Sequence, residues 1–128
     1  MRLLLDTHTF LWWIADDSRL SSRAAALIAE GDNEAYISAA SAWEIVVKSG
    51  LGRVEVPEPV DRFLTSQLEA NAFLPLPIHV RHALGLSSLP DVHRDPFDRI
   101  LVAQAVAEEL TLVSADSVLR RYPAAVEW

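Results

Sequence analysis

His93-Arg94-Asp95-Pro96-Phe97-Asp98-Arg99-Ile100-Leu101-Val102-Ala103-Gln104-Ala105 reads as the opening of a core helix. Asp95 suits the N-cap, because its carboxylate can accept backbone N–H groups that the first helical turn leaves free. Pro96 then falls at the first helical position, where a missing N–H costs nothing. Asp98 lies three residues past the cap and gains from the positive end of the helix dipole. From Ile100 to Leu110 the chain is mostly apolar, which predicts a helix packed into the core. Asp98 shares a side with Val102, Ala105 and Glu109, at spacings of four, seven and eleven. A carboxylate on that side is partly buried and needs partners, and a cation is one kind of partner. Taken alone, helix capping explains Asp95 and Asp98 equally well.

Outward from this helix, strands alternate with helices. Arg2-Leu3-Leu4-Leu5 is a short apolar run ending at Asp6 and reads as a buried strand. Asp6 or Thr7 can cap a short helix through Ile14, and Ser21-Ser22 a second one over Arg23 to Glu30. Ala35 to Ser38 is a strand, and Ala39 to Ser49 a helix. Leu51 to Pro59 is a loop, and Val60 to Ala70 an amphipathic helix. The prolines of Phe73-Leu74-Pro75-Leu76-Pro77 place that strand at an edge. Ile78 to Leu86 is a helix, and Ser87 to Arg94 leads into the quoted stretch. A strand at Thr111–Ser114, a short helix through Arg121 and an edge strand at Ala125–Glu127 complete the pattern. No linker or repeat divides it, so residues 1–128 read as a single α/β domain with a parallel sheet covered on both faces.

The 128 residues are enough for a real core, and 51% are hydrophobic, which excludes a disordered chain. The absence of cysteine excludes disulfides and a thiolate zinc site, and suits the cytoplasm. Asp6 breaks the first apolar run, and Phe10 to Ala15 is too short to cross a bilayer, so neither a signal peptide nor a membrane span is expected. The formal charge of −7 argues against a broad non-specific nucleic-acid surface and suits a cation or a basic partner. Lys48 is the only lysine.

Sites in open α/β sheets lie outside the carboxyl ends of the strands. Asp6 ends the first strand, and Asp116 follows the strand at Thr111–Ser114 by two residues. In a simple strand–helix–strand step Asp98 would start at the opposite end. The loop before it follows a helix rather than a strand, however, so the second of two consecutive helices can start at the site end and run back. Glu44 is the fourth candidate, in a helix whose neighbours are largely apolar. On its own it reads as a surface ion pair with Lys48 four residues on, worth about 0.2–0.5 kcal/mol. Asp6 and Asp116 also suit helix caps. Metal chemistry is therefore an inference from four carboxylates converging.

Other chemistries fail on spacing. No Gly-x4-Gly-Lys-Ser/Thr phosphate loop and no Gly-x-Ser-x-Gly elbow is present. Gly50-Leu51-Gly52 follows a helix and is no dinucleotide fingerprint. His79 and His82 have no surrounding zinc motif and read as a surface pair. Trp12, Trp13 and Trp43 read as core or interface anchors rather than base-stacking platforms.

Leu3-Leu4-Leu5-Asp6-Thr7-His8-Thr9-Phe10-Leu11-Trp12, Ser41-Ala42-Trp43-Glu44-Ile45, His93-Arg94-Asp95-Pro96-Phe97-Asp98-Arg99 and Leu112-Val113-Ser114-Ala115-Asp116 together resemble a PIN-domain ribonuclease, and more closely the VapC toxins of type II toxin–antitoxin systems. The resemblance runs over nearly the whole chain, in order. It implies a three-layer sandwich with a central, mostly parallel sheet of about five strands between helices. It implies acidic metal ligands at Asp6, Glu44, Asp98 and Asp116, with Thr7 and Ser114 as supporting hydroxyls. Asp95 belongs to the extended motif, and its cap role accounts for it. The resemblance also implies Mg²⁺ or Mn²⁺ as cofactor, an RNA substrate, dimerisation and a cognate antitoxin covering the acidic groove.

Such metals prefer oxygen ligands, and one or two of them can activate water and offset phosphate charge, so no histidine base is required. Arg94, Arg99, Lys48 and Arg53 are then the candidates for RNA phosphate contacts. With so few lysines, RNA recognition by shape and loop contacts is expected. Two alternatives belong to other classes. One is a non-catalytic PIN-like interaction domain whose acidic groove binds a basic peptide. The other is a phosphotransfer domain with Asp6 as acceptor, weakened by the lack of a second acid two positions later.

Overall fold

A computed structural model describes Met1–Trp128. In chain order the elements are β1 (Arg2–Leu5), α1 (Thr7–Ile14), α2 (Ser22–Ala29), β2 (Glu34–Ser38), α3 (Ala39–Gly50), α4 (Val60–Ala70), β3 (Leu74–Leu76), α5 (Val80–Gly85), α6 (Pro96–Glu108), β4 (Thr111–Val113) and β5 (Val126–Glu127). One five-stranded sheet runs β3-β2-β1-β4-β5, with every neighbouring pair parallel. Leu4 lies opposite Tyr36 on one side and Leu112 on the other, which fixes the register of the central strand.

Side chains alternate across a strand, so β1 feeds two cores. Leu4 and Leu112 pack with Ile100, Leu101, Val102 and Ala105 of α6. Leu3, Leu5 and Val113 pack with Phe10, Ile45, Leu64 and Phe73 on the opposite face. Leu3, Leu4 and Leu5 are fully buried, as expected for a strand covered by helices on both faces. No helix is long and apolar enough to cross a membrane.

Several boundaries differ from the sequence pattern. The helix expected over Ile78–Leu86 is shortened to α5, and the chain tightens into a 3₁₀ turn at Leu86–Ser88. The His79 N–H donates to Nδ1 of His82 at 2.9 Å, so the side chain three residues on closes the start of α5. The segment through Arg121 is also 3₁₀ rather than α (Ser117–Arg121). Tyr122 precedes Pro123 and is held extended, which stops the turn. Glu109 does not extend the face of Asp98, because it is the left-handed C-cap of α6, at φ 55°.

Candidate metal centre

Asp6 leaves the carboxyl end of β1 and caps α1, accepting the Thr9 N–H at 2.8 Å. The Asp6 N–H donates to the Val113 carbonyl at 3.1 Å, and the Thr9 hydroxyl donates to the same carbonyl at 2.9 Å. The first acid is thereby tied to the end of β4 as well as β1. It is buried, as are Thr7 and Thr9.

Glu44 pairs with Lys48, as its spacing predicts, but not at the surface: it is 4% exposed. Thr7 Oγ1 lies 2.6 Å from Glu44 Oε1 and 3.0 Å from Ser41 Oγ. A hydroxyl has one proton. Thr7 therefore donates to the carboxylate and accepts from Ser41. This orients Glu44 from the residue next to Asp6, and Lys48 holds the other oxygen.

Asp95, not Asp98, is the cap of α6. Its Oδ1 accepts from the Phe97 N–H at 2.8 Å and the Asp98 N–H at 3.4 Å. Asp98 is left free to face its neighbours, and its pKa is pushed up to about 7. Burial is the largest cause, followed by the negative charge of Asp95, with Asp6 and Glu44 adding to it and only His93 opposing it. Asp6 after β1 and Glu44 within α3 thus both act on Asp98 at the start of α6. Asp116 completes the edge after β4: its N–H donates to Ser114 Oγ at 3.1 Å, and its Oδ1 accepts from the Val118 N–H at 3.0 Å.

His93 belongs to this centre and was not among the residues expected in it. Its Nε2 lies 2.9 Å from Asp116 Oδ2 and 3.3 Å from Asp98 Oδ2. The ligand atoms of His93, Asp98 and Asp116 all lie within 4.8 Å of one another. The available signal was its place two residues before the cap, from which a ring can turn back over the helix start.

The expected phosphate contacts divide. Arg99 is turned inward, donating to the carbonyls of Pro90 at 3.1 Å and Leu86 at 3.4 Å, and Lys48 is engaged by Glu44. Arg94 is exposed beside His93. Arg53 lines a cleft of about 530 Å³ with Leu11, Trp12, Val56 and Phe63, whose lining contains none of the four acids. The tryptophans are not core residues. Trp12 and Trp13 are half-buried, and Trp43 is 61% exposed, with its ring edge-on to Phe97 at 4.9 Å. Phe10, by contrast, is core. The histidine pair is also split: His79 is exposed, whereas His82 is fully buried with Nε2 2.8 Å from Glu108 Oε1.

The PIN domain family model matches residues 3–125. The chain belongs to the PIN domain family. It is 33% identical over 122 residues to ribonuclease VapC22 of Mycobacterium tuberculosis, covering 94% of this chain and 91% of that protein. Among solved structures, VapBC2 from Rickettsia felis bound to a promoter DNA fragment is similar at TM-score 0.75 and 18% identity, covering 100% of this chain and 99% of that one. FitAcB from Neisseria gonorrhoeae is similar at TM-score 0.61 and 18% identity, over 97% and 95% of the two chains. At these identities the structures speak for the fold.

The donor set of this PIN domain fits a hard divalent cation. It offers carboxylate oxygens at one sheet edge and no thiol. Asp98 is lifted to about 7 by burial first and then by the negative charges of Asp95, Asp6 and Glu44. A cation among them relieves that repulsion.

Proposed function

We propose that this PIN domain is a metal-dependent ribonuclease hydrolysing RNA phosphodiester bonds, and the toxin of a toxin–antitoxin pair. The observation that carries the reading is the convergence of Asp6, Glu44, Asp98 and Asp116 beside the ends of β1 and β4, where burial first, and then the charges of Asp95, Asp6 and Glu44, raise the pKa of Asp98 to about 7. Asp6, Glu44, Asp98 and Asp116 are the residues to hold Mg²⁺ or Mn²⁺. The metal supplies Lewis acidity, lowering the pKa of water and offsetting phosphate charge. The Thr7 hydroxyl keeps Glu44 Oε1 oriented, and Ser114 Oγ fixes the backbone that presents Asp116. Arg94 is the exposed cation beside the centre and the best placed to meet a phosphate. The 33% identity to a protein named as a ribonuclease supports the same reaction.

A second occupant of the acidic edge is the cognate antitoxin. The similar structures named VapBC are those of complexes, and the cleft lined by Trp12, Val56 and Phe63 offers an apolar seat separate from the acids. We assign the antitoxin a segment with apolar anchors in that cleft and at least one Arg or Lys at the carboxylates. A complex whose carboxylate edge stays solvent-filled contradicts this placement. The test of the enzyme is incubation of the purified chain with RNA. Cleavage is expected with Mg²⁺ or Mn²⁺, and none with EDTA or in Asp6→Asn. Undiminished cleavage in EDTA refutes the metal dependence. No cleavage under any metal, together with tight binding of a basic peptide, favours a non-catalytic interaction domain.

A further inference from the structure

His93 is clamped on three sides. Its backbone N–H donates to the Tyr122 hydroxyl at 2.8 Å, and Tyr122 is buried. Its Nδ1 lies 3.1 Å from the Asp95 nitrogen, and its Nε2 faces the oxygens of Asp116 and Asp98. A backbone N–H can only donate, so Nδ1 must accept. In neutral imidazole the proton then sits on Nε2. That proton points at two carboxylate oxygens, both of which accept.

The same geometry bears on whether His93 binds the metal. A ligating Nε2 needs its lone pair, which moves the proton to Nδ1. There it would confront the Asp95 N–H, donor against donor. The cap loop thus fixes the tautomer that cannot ligate. Asp116 meanwhile is held at both oxygens, Oδ1 by the Val118 N–H and Oδ2 by His93. Each oxygen keeps a further lone pair for a cation.

We propose that His93 is a positioning residue of the carboxylate centre: it donates its Nε2–H to Asp116 and Asp98, sets their orientation for the metal and does not itself ligate. This rests on the metal-site reading. The test is Mn²⁺ titration of the RNA-free protein, followed by electron paramagnetic resonance, above the imidazole titration range. It compares wild type with His93→Ala, His93→Gln and His93→Asn, with Asp98→Asn as control. The Gln amide nitrogen reaches the place of Nε2, whereas the Asn amide reaches only that of Nδ1. His93→Asn and His93→Ala are expected to bind Mn²⁺ about tenfold or more weakly, with His93→Gln restoring most of the affinity.

Nitrogen NMR of wild type is expected to show the Nε2–H tautomer with and without Mg²⁺. Melts in EDTA separate lost folding from lost metal, and the Gln–Asn comparison stands even where the Ala variant is unfolded. The proposal is overturned if His93→Ala binds like wild type, if His93→Gln binds as poorly as His93→Asn, or if Mg²⁺ moves the proton to Nδ1. If wild type itself takes up no Mn²⁺, the metal-site reading fails, and the positioning role falls with it.

Discussion

At the scale of single residues, the two aspartates at the start of α6 have separate tasks. Asp95 accepts the free N–H groups of the first turn, and Asp98 accepts none of them. Asp98→Asn should therefore spare the helix while removing a charge that its neighbours resist. The carboxyl of Asp98 has a pKa of about 7 when folded, against an ordinary value near 3.8. Below the ordinary value both folded and unfolded chains hold the proton, and the full contribution to stability is present. Between that value and about 7 only the folded chain holds it, so the contribution is lost as pH rises. The full shift would correspond to about 4 kcal/mol, and solvent access to the partly exposed carboxyl reduces it to the order of 2 kcal/mol. In EDTA, wild type should lose stability against Asp98→Asn from about pH 4 to pH 7, as measured by urea unfolding. Asp98→Asn should also abolish RNA cleavage. An Asp98→Asn protein that melts far below wild type at the higher pH contradicts this account. Asp95→Asn keeps the cap and should retain substantial cleavage. Asp6, Asp98 and Asp116 stood out as candidates in the sequence because each follows or opens an element, whereas Glu44 lies inside α3. Burial of Glu44 was not legible, because it depends on the Thr7 hydroxyl, 37 positions away. The role of His93 was hidden for a similar reason, since a ring orientation is set by a loop and a distant tyrosine.

At the scale of elements, α5 and α6 are joined by a polar contact that the spacing of His79 and His82 does not reveal. A pair three residues apart reads as one exposed stripe on a regular helix. Here α5 is short, and His82 turns its Nδ1 back to its own N-terminus and its Nε2 into Glu108. The His82 contact and the Arg81 guanidinium hold the Glu108 carboxyl below its ordinary pKa. Removing the ring in His82→Ala leaves a cavity and deprives the His79 N–H of its acceptor. A loss on the order of 2–3 kcal/mol is expected in thermal or urea melts. Glu108 lies at the opposite end of α6 from Asp98, so Mn²⁺ affinity of the folded His82→Ala protein should equal that of wild type. A loss of metal binding with unchanged stability would reverse that assignment. The start of α6 was legible from Asp95 and Pro96 alone, because capping is local chemistry. Its far end was not: the left-handed turn at Glu109 is imposed by burying Leu110, whose N–H returns to the Ala105 carbonyl at 2.9 Å.

For the whole molecule, alternation of strands and helices was enough to foresee a parallel sheet covered on both faces. The order β3-β2-β1-β4-β5 explains why the acids meet: β1 and β4 are neighbours, and Asp6 and Asp116 follow them directly. The surface proposed for the antitoxin was less legible, since Trp12, which reads equally as a core or an interface anchor, lines the cleft. The antitoxin's basic side chain and the metal are both assigned to the same carboxylates. Two cations that use the same carboxylates compete, and each weakens the other by mass action. Antitoxin affinity should therefore fall as Mg²⁺ rises, by a factor approaching one plus the ratio of free Mg²⁺ to its dissociation constant. Calorimetric titrations of toxin with antitoxin, from EDTA to saturating Mg²⁺ at constant ionic strength, measure this directly. Constant ionic strength removes general screening, which weakens any charged interface. In Asp98→Asn the Mg²⁺ dependence should flatten. The apolar seat is independent of the metal, so Trp12→Ala should weaken the antitoxin equally at every Mg²⁺ concentration and leave RNA cleavage by the free toxin unchanged. An antitoxin affinity that ignores Mg²⁺ in wild type would mean that its basic residues lie elsewhere and that the apolar cleft holds it alone.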